Sequence, residues 1–125
     1  MAVIVVADDD VAIRIMLCEL LEAMGHSVLE AADGEACFKH FKAARPDLVI
    51  TDIFMPGKEG LETIFQLRDR WPGIRILAIS VAPNFLEHAK IIGADRVLAK
   101  PFSVQQILAI VNELLGAKAV SPPNG

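Results

Sequence analysis

Positive charge is scarce in this chain: 12 lysines and arginines stand against 16 aspartates and glutamates, a formal net charge of −4 over 125 residues. No global field draws in nucleic acid or an anionic membrane, so direct nucleic-acid binding is not expected. Long apolar runs are missing too, the longest falling far short of the roughly 20 residues a membrane span needs. The opening MAVIVVADDD has neither a basic leader nor a cleavage site, so a cytoplasmic location without membrane contact is expected. Cysteine is limited to Cys18 and Cys37, far apart and without metal-ligand spacing; both are expected to be reduced and partly buried. What the chain has in quantity is apolar side chain, 54% of residues. That is ample for the core of one domain and excludes disorder for most of its length.

Five short runs rich in apolar and β-branched residues recur: Ala2 to Ala7, Ser27 to Ala31, Asp47 to Asp52, Ile74 to Ser80 and Ala94 to Lys100. Helix-length segments separate them. The first, Val11 to Met24, carries Ile13, Leu17, Leu20, Leu21 and Met24 at helical spacing and stops at Gly25. Asp33 caps a second that runs to about Ala44. A third runs from about Lys58 to Trp71 with Leu61, Ile64, Phe65 and Leu67 as its apolar face. The fourth spans Pro83 to Ile92, and the fifth starts behind Ser103 with Ile107, Leu108, Val111, Leu114 and Leu115. The Met, Leu and Phe stripes read as core. Strict alternation of strand and helix with apolar central strands predicts a five-stranded, doubly wound parallel α/β sheet covered on both faces. Residues 118–125 read as a flexible tail or linker stub after one domain over 1–117.

In such a sheet the carboxyl ends of the strands converge on one edge, where ligands bind. Here those ends are polar. The first strand delivers Asp8, Asp9 and Asp10, the third Asp52, the fourth Ser80, and the fifth Lys100 followed by Pro101. If strands one and three are neighbours, Asp8, Asp9 and Asp52 meet within a few ångströms. Two carboxylates about 4 Å apart repel by roughly 4 kcal/mol at an effective dielectric near 20. The cluster needs a cation, and an all-oxygen site with room for water suits Mg²⁺ better than zinc. Asp10 reads as the cap of the first helix, Arg14 as a surface cation, Lys58 and Glu59 as solvated loop residues, and His26, His40 and His88 as exposed or satisfied histidines.

The segments VVADDDVAIR, DLVITDIFMPG, LAIS and GADRVLAKPF, in this order and spacing, resemble the receiver domain of two-component response regulators. The match runs from about Val3 to Leu115. The resemblance implies a flavodoxin-like sheet in the order 2-1-3-4-5 and a phosphorylation-dependent signalling switch. Asp52 would accept a phosphoryl group from a sensor histidine kinase, a histidine phosphotransfer protein or a small acyl-phosphate donor. Asp9 would be the direct Mg²⁺ ligand, Asp8 would hold the ion mainly through water, and Asp52 and the backbone carbonyl of Phe54 would complete the set. Lys100 and Ser80 would meet the phosphoryl oxygens, and Pro101 matches the cis-proline that aims the lysine. The resemblance also implies a downstream effector or fused output domain, and a homodimer through the fourth helix, fifth strand and fifth helix. It makes the chain a catalyst of its own phosphorylation and slow dephosphorylation, but mainly a switch.

Three positions depart from the family pattern. Val97 stands where an aromatic usually precedes the lysine, and the chain has no tyrosine. Val81 follows the hydroxyl residue where a small one is usual and would crowd the route to the phosphoryl group. Phe54 stands where many members have a polar residue. Val97 keeps open a phosphate-independent interaction module of the same fold. A haloacid dehalogenase-like hydrolase fits less well, since it wants an acid where this chain has Phe54.

Overall fold

The computed structural model describes residues 1–54 and 60–116. The helix start expected at Lys58, the solvated role of Lys58 and Glu59, and the tail 118–125 lie outside the described residues. Five strands, β1 (Val3–Ala7), β2 (Ser27–Ala31), β3 (Leu48–Asp52), β4 (Arg75–Ser80) and β5 (Arg96–Ala99), alternate with five helices. These are α1 (Val11–Ala23), α2 (Gly34–Ala44), α3 (Gly60–Arg70), α4 (Pro83–Ile92) and α5 (Val104–Leu115). The sheet is parallel throughout, in the expected order β2-β1-β3-β4-β5. Every residue of the middle strand β3 is buried.

Side chains alternate between the sheet's faces, and the two cores separate by that parity. Ile4, Val6, Leu48, Ile50, Leu77 and Ile79 pack with Leu17 and Leu21 of α1 and with Ile107 and Val111 of α5. Val5, Val49, Ile76 and Ala78 pack on the other face with Phe41 of α2, Ile64 and Leu67 of α3, and Leu86 and Ala89 of α4. Continued past the apolar run, the same alternation puts Asp8, Asp52 and Lys100 on the α1/α5 side, in line with Val6, Ile50 and Leu98.

The caps fall where their residue types demand. Asp10 accepts the amides of Ala12 and Ile13 at 3.0 and 3.3 Å, Asp33 accepts that of Ala36 at 2.8 Å, and Ser103 and Gln106 form a reciprocal capping box. Gly25 follows α1 with φ of 92°, the left-handed conformation a C′ glycine supplies. The apolar face of α3 needs correction. Gly60, Thr63, Ile64 and Leu67 are buried, whereas Phe65 is 58% exposed, because a residue next to Ile64 lies about 100° round the helix from it. Phe54, Phe85 and Met16 are also exposed rather than core. Both cysteines are buried and free, and burial pushes their thiols up to about 11 for Cys18 and about 12 for Cys37.

Candidate functional site

Asp8 leaves the end of β1 fully buried, with each of its polar atoms engaged. Its amide donates to the Ala31 carbonyl at 3.0 Å, and its carbonyl accepts from Arg14 at 2.7 Å. Its Oδ1 accepts from the Asp10 amide and its Oδ2 from Lys100 Nζ, both at 2.9 Å. Asp52 closes β3, also buried, with Oδ2 3.1 Å from the same ammonium and Oδ1 accepting from the Phe54 amide at 3.2 Å. Asp9 lies exposed beside them. Asp8, Asp9 and Asp52 each offer a carboxylate oxygen within 4.8 Å of the others. The sequence-derived grouping of the three acids with Lys100 is therefore present.

Burial raises the pKa of Asp8, against the Asp10 amide and Lys100, which stabilise its charged form. Burial pulls Lys100 down, but its hydrogen bonds to Asp8 and Asp52 outweigh that and leave it raised. Lysine is thus held charged between two carboxylates, while the three acids keep oxygens within 4.8 Å of one another. An all-oxygen donor set of this kind fits a hard divalent cation such as Mg²⁺ and not a thiolate- or imidazole-seeking metal.

Ser80 ends β4, fully buried, its Oγ accepting from the Ala82 amide at 3.1 Å; a hydroxyl that accepts one bond still carries a proton to donate. The Lys100–Pro101 peptide bond is cis. Val81 is 69% exposed and, with Asp10, Met16 and Lys100, borders an open hollow of about 410 Å³. It stands just past the end of β4 (Arg75–Ser80) with its side chain largely open to solvent. Phe54 leans on Phe85 of α4, the rings 4.7 Å apart and edge to face. Val97 packs against the α2–α4 core.

Two residues of the site were missed from sequence. Arg14 is no free surface cation, since it bonds the Asp8 carbonyl and Glu30 Oε1, the latter at 3.0 Å. Gly60 opens α3 against Ile53, the residue after Asp52: its amide donates to the Ile53 carbonyl at 3.0 Å, and a Cβ there would meet that oxygen at 2.4 Å and Ile53 Cα at 2.5 Å. Any side chain would push the segment behind Asp52 out of place. Of the histidines, His26 is buried with Nδ1 accepting from the Ala2 amide, and His40 Nε2 donates to the Glu30 carbonyl at 2.7 Å.

Residues 4–112 match the family model described as the response regulator receiver domain. The chain is 36% identical over 124 residues to the response regulator MprA of Mycolicibacterium vanbaalenii, covering 98% of this chain and 53% of that protein. It is 32% identical over 124 residues to the DNA-binding transcriptional regulator NtrC of Azospirillum brasilense, covering 98% of this chain and 25% of that one. It thus spans from a quarter to about half the length of these relatives. Among solved structures, the chemotaxis response regulator CheY4 of Vibrio cholerae superposes with a TM-score of 0.85 at 30% identity, over 92% of this chain and 99% of that one.

Proposed function

The chain belongs to the receiver domains of two-component response regulators, and from that membership we propose that it is a phosphorylation-dependent switch whose acceptor is Asp52. The observation that carries this is the placement of one buried carboxylate at the end of the central strand, 3.1 Å from Lys100 and within 4.8 Å of Asp8 and Asp9 donor atoms. A carboxylate oxygen of Asp52 attacks the phosphorus of a kinase phosphohistidine. A P–O bond forms as the P–N bond breaks, and the imidazole leaves with the electron pair and takes a proton from solvent. Lys100 turns its ammonium from the carboxylates toward the negative oxygens in transfer, and Ser80 donates its hydroxyl proton to one of them. Asp8, Asp9, Asp52 and the Phe54 carbonyl would hold Mg²⁺, which when bound supplies positive charge against those oxygens.

Readout follows from what the site touches. Ser80 holds the amide of Ala82, the residue from which α4 starts, and Phe54 lies on Phe85 in its first turn. A hydroxyl drawn toward a phosphoryl oxygen changes its hold on that helix start, which biases a two-state equilibrium over α4, β5 and α5. With Val97 in place of an aromatic, the Phe54–Phe85 contact is the aromatic link between site and helix. A receiver over 1–117 with 118–125 as linker would serve a sensor kinase or phosphotransfer protein in the cytoplasm. Its output would be an effector, a fused domain of the transcriptional kind named for NtrC, or a homodimer through the α4–β5–α5 face. Incubating the wild type with acetyl phosphate and Mg²⁺, then with EDTA instead, tests the reading by intact mass. One phosphoryl group gained only with Mg²⁺ is expected; no gain under either condition would leave a phosphate-independent interaction module.

A further inference from the structure

Arg14 occupies a place its residue type does not favour. It is the fourth residue of α1, whose first turn holds no acidic residue, and a cation there faces the positive end of the helix dipole, which disfavours it. Its side chain is only 16% exposed, so it forgoes much of the hydration a surface cation keeps. What it gains is two fixed contacts. One guanidinium nitrogen donates to the Asp8 carbonyl at 2.7 Å, and Nε donates to Glu30 Oε1 at 3.0 Å.

Glu30 is itself held. Its backbone pairs in register with Val6 of β1, its carbonyl accepts from His40, and its side chain shares the α1 face of the sheet with Val28, two residues before it. The guanidinium therefore braces the Asp8–Asp9 peptide against the edge strand. Asp8 has its carboxylate fixed by Lys100 and the Asp10 amide. For Asp9, exposed, the brace acts through the peptide plane preceding it.

We propose that Arg14, tied back by Glu30, is a positioning residue that sets the peptide between the two metal-binding acids and so the affinity of the site for a divalent cation. This rests on the reading of Asp8, Asp9 and Asp52 as a Mg²⁺ site. Charge and geometry act here with opposite signs, which makes the inference testable. As a mere positive charge beside the acids, Arg14 weakens cation binding, and its removal would tighten it; as a brace, its loss weakens binding.

The test is Mg²⁺ titration by calorimetry, with the amide resonance of Asp9 followed by NMR. Arg14→Lys keeps the charge but loses the planar fork that reaches two acceptors. We expect Mg²⁺ to bind about tenfold more weakly, in the range seen when groups orienting metal ligands are removed, with the Asp9 amide displaced before any metal is added. Unchanged affinity in a folded Arg14→Lys protein would overturn the proposal. If that variant fails to fold, a second pair decides. Glu30→Gln and Glu30→Ala remove the same charge, but only Gln keeps an acceptor for Nε. A smaller loss in Gln than in Ala supports bracing, and equal losses overturn it. Absence of Mg²⁺ binding in the wild type would instead remove the metal-site reading beneath it.

Discussion

Asp9 and Asp10 differ in what their carboxylates touch. Asp10 accepts two amides at the start of α1, while Asp9 stands in the three-acid cluster. Asp9→Ala is expected to weaken Mg²⁺ binding by more than tenfold, as loss of a direct ligand does, and Asp10→Ala to leave it nearly unchanged while costing about 1 kcal/mol of stability. Calorimetric titration and urea unfolding of both variants check this; equal metal affinities would exchange the two roles. These acids, with Asp52, Ser80 and Lys100, were legible in the sequence because each ends an apolar run that a parallel sheet must bury, which puts them on one edge. Arg14 and Gly60 were not. The partners of Arg14 are a backbone carbonyl and a glutamate 16 residues away, and those of Gly60 are the backbone of Ile53; neither contact leaves a local pattern in residue types.

Among the helices, α4 is fastened unequally at its two ends. Beyond its C-terminus Arg68 of α3 donates twice to the Gly93 carbonyl and pairs with Asp95 at 2.7 Å, and Asp95 accepts from the Ile76 amide. Its N-terminus starts at Ala82 without a side-chain cap and leans on the site through Phe85. A helix anchored at one end and uncapped at the other moves most easily at the free end, which here is the end beside Ser80. Ala82→Ser supplies the missing acceptor and is expected to stabilise the folded state by about 0.5–1 kcal/mol in urea unfolding; an unchanged or lower stability would mean that the helix start has no unsatisfied amide to cap. The bounds of β2 and α4 and the start of α5 behind Ser103 could be read directly from the residue types. The face of α3 could not, since Phe65 fits a helical apolar stripe by count and only the sheet's position decides which side is covered.

Across the whole molecule the edge at the strands' carboxyl ends holds Asp8, Asp52 and Lys100 together, while the opposite edge keeps a buried histidine. His26, just before β2, is 5% exposed; its Nδ1 accepts from the Ala2 amide at 3.1 Å, and Nε2 has no hydrogen-bond partner among the described residues. Burial lowers its pKa, and protonation would set an N–H against the Ala2 N–H. A base with a lowered folded pKa favours folding fully above its unfolded value of 6.5 and loses that contribution as pH falls through the folded value. The melting temperature should therefore fall more steeply between pH 7.5 and 5 in the wild type than in His26→Asn, whose amide oxygen can accept from Ala2 without titrating. Parallel slopes would show that His26 does not set this dependence. The doubly wound parallel sheet itself was legible because right-handed crossovers and two-sided burial leave few alternatives, while its strand order came with the resemblance to the receiver domain. Which partner would read the proposed α4–β5–α5 face was not legible, because that choice depends on a surface outside this chain.

The most direct check is the phosphorylation of Asp52→Asn, nearly isosteric with the wild type, with Lys100 still paired to Asp8. Both proteins are incubated with the same acyl phosphate and Mg²⁺ and read by intact mass and peptide mapping, with circular dichroism to confirm the common fold. The wild type should gain one phosphoryl group on the peptide carrying Asp52, and the folded variant none. Undiminished stable labelling of Asp52→Asn would place the acceptor elsewhere.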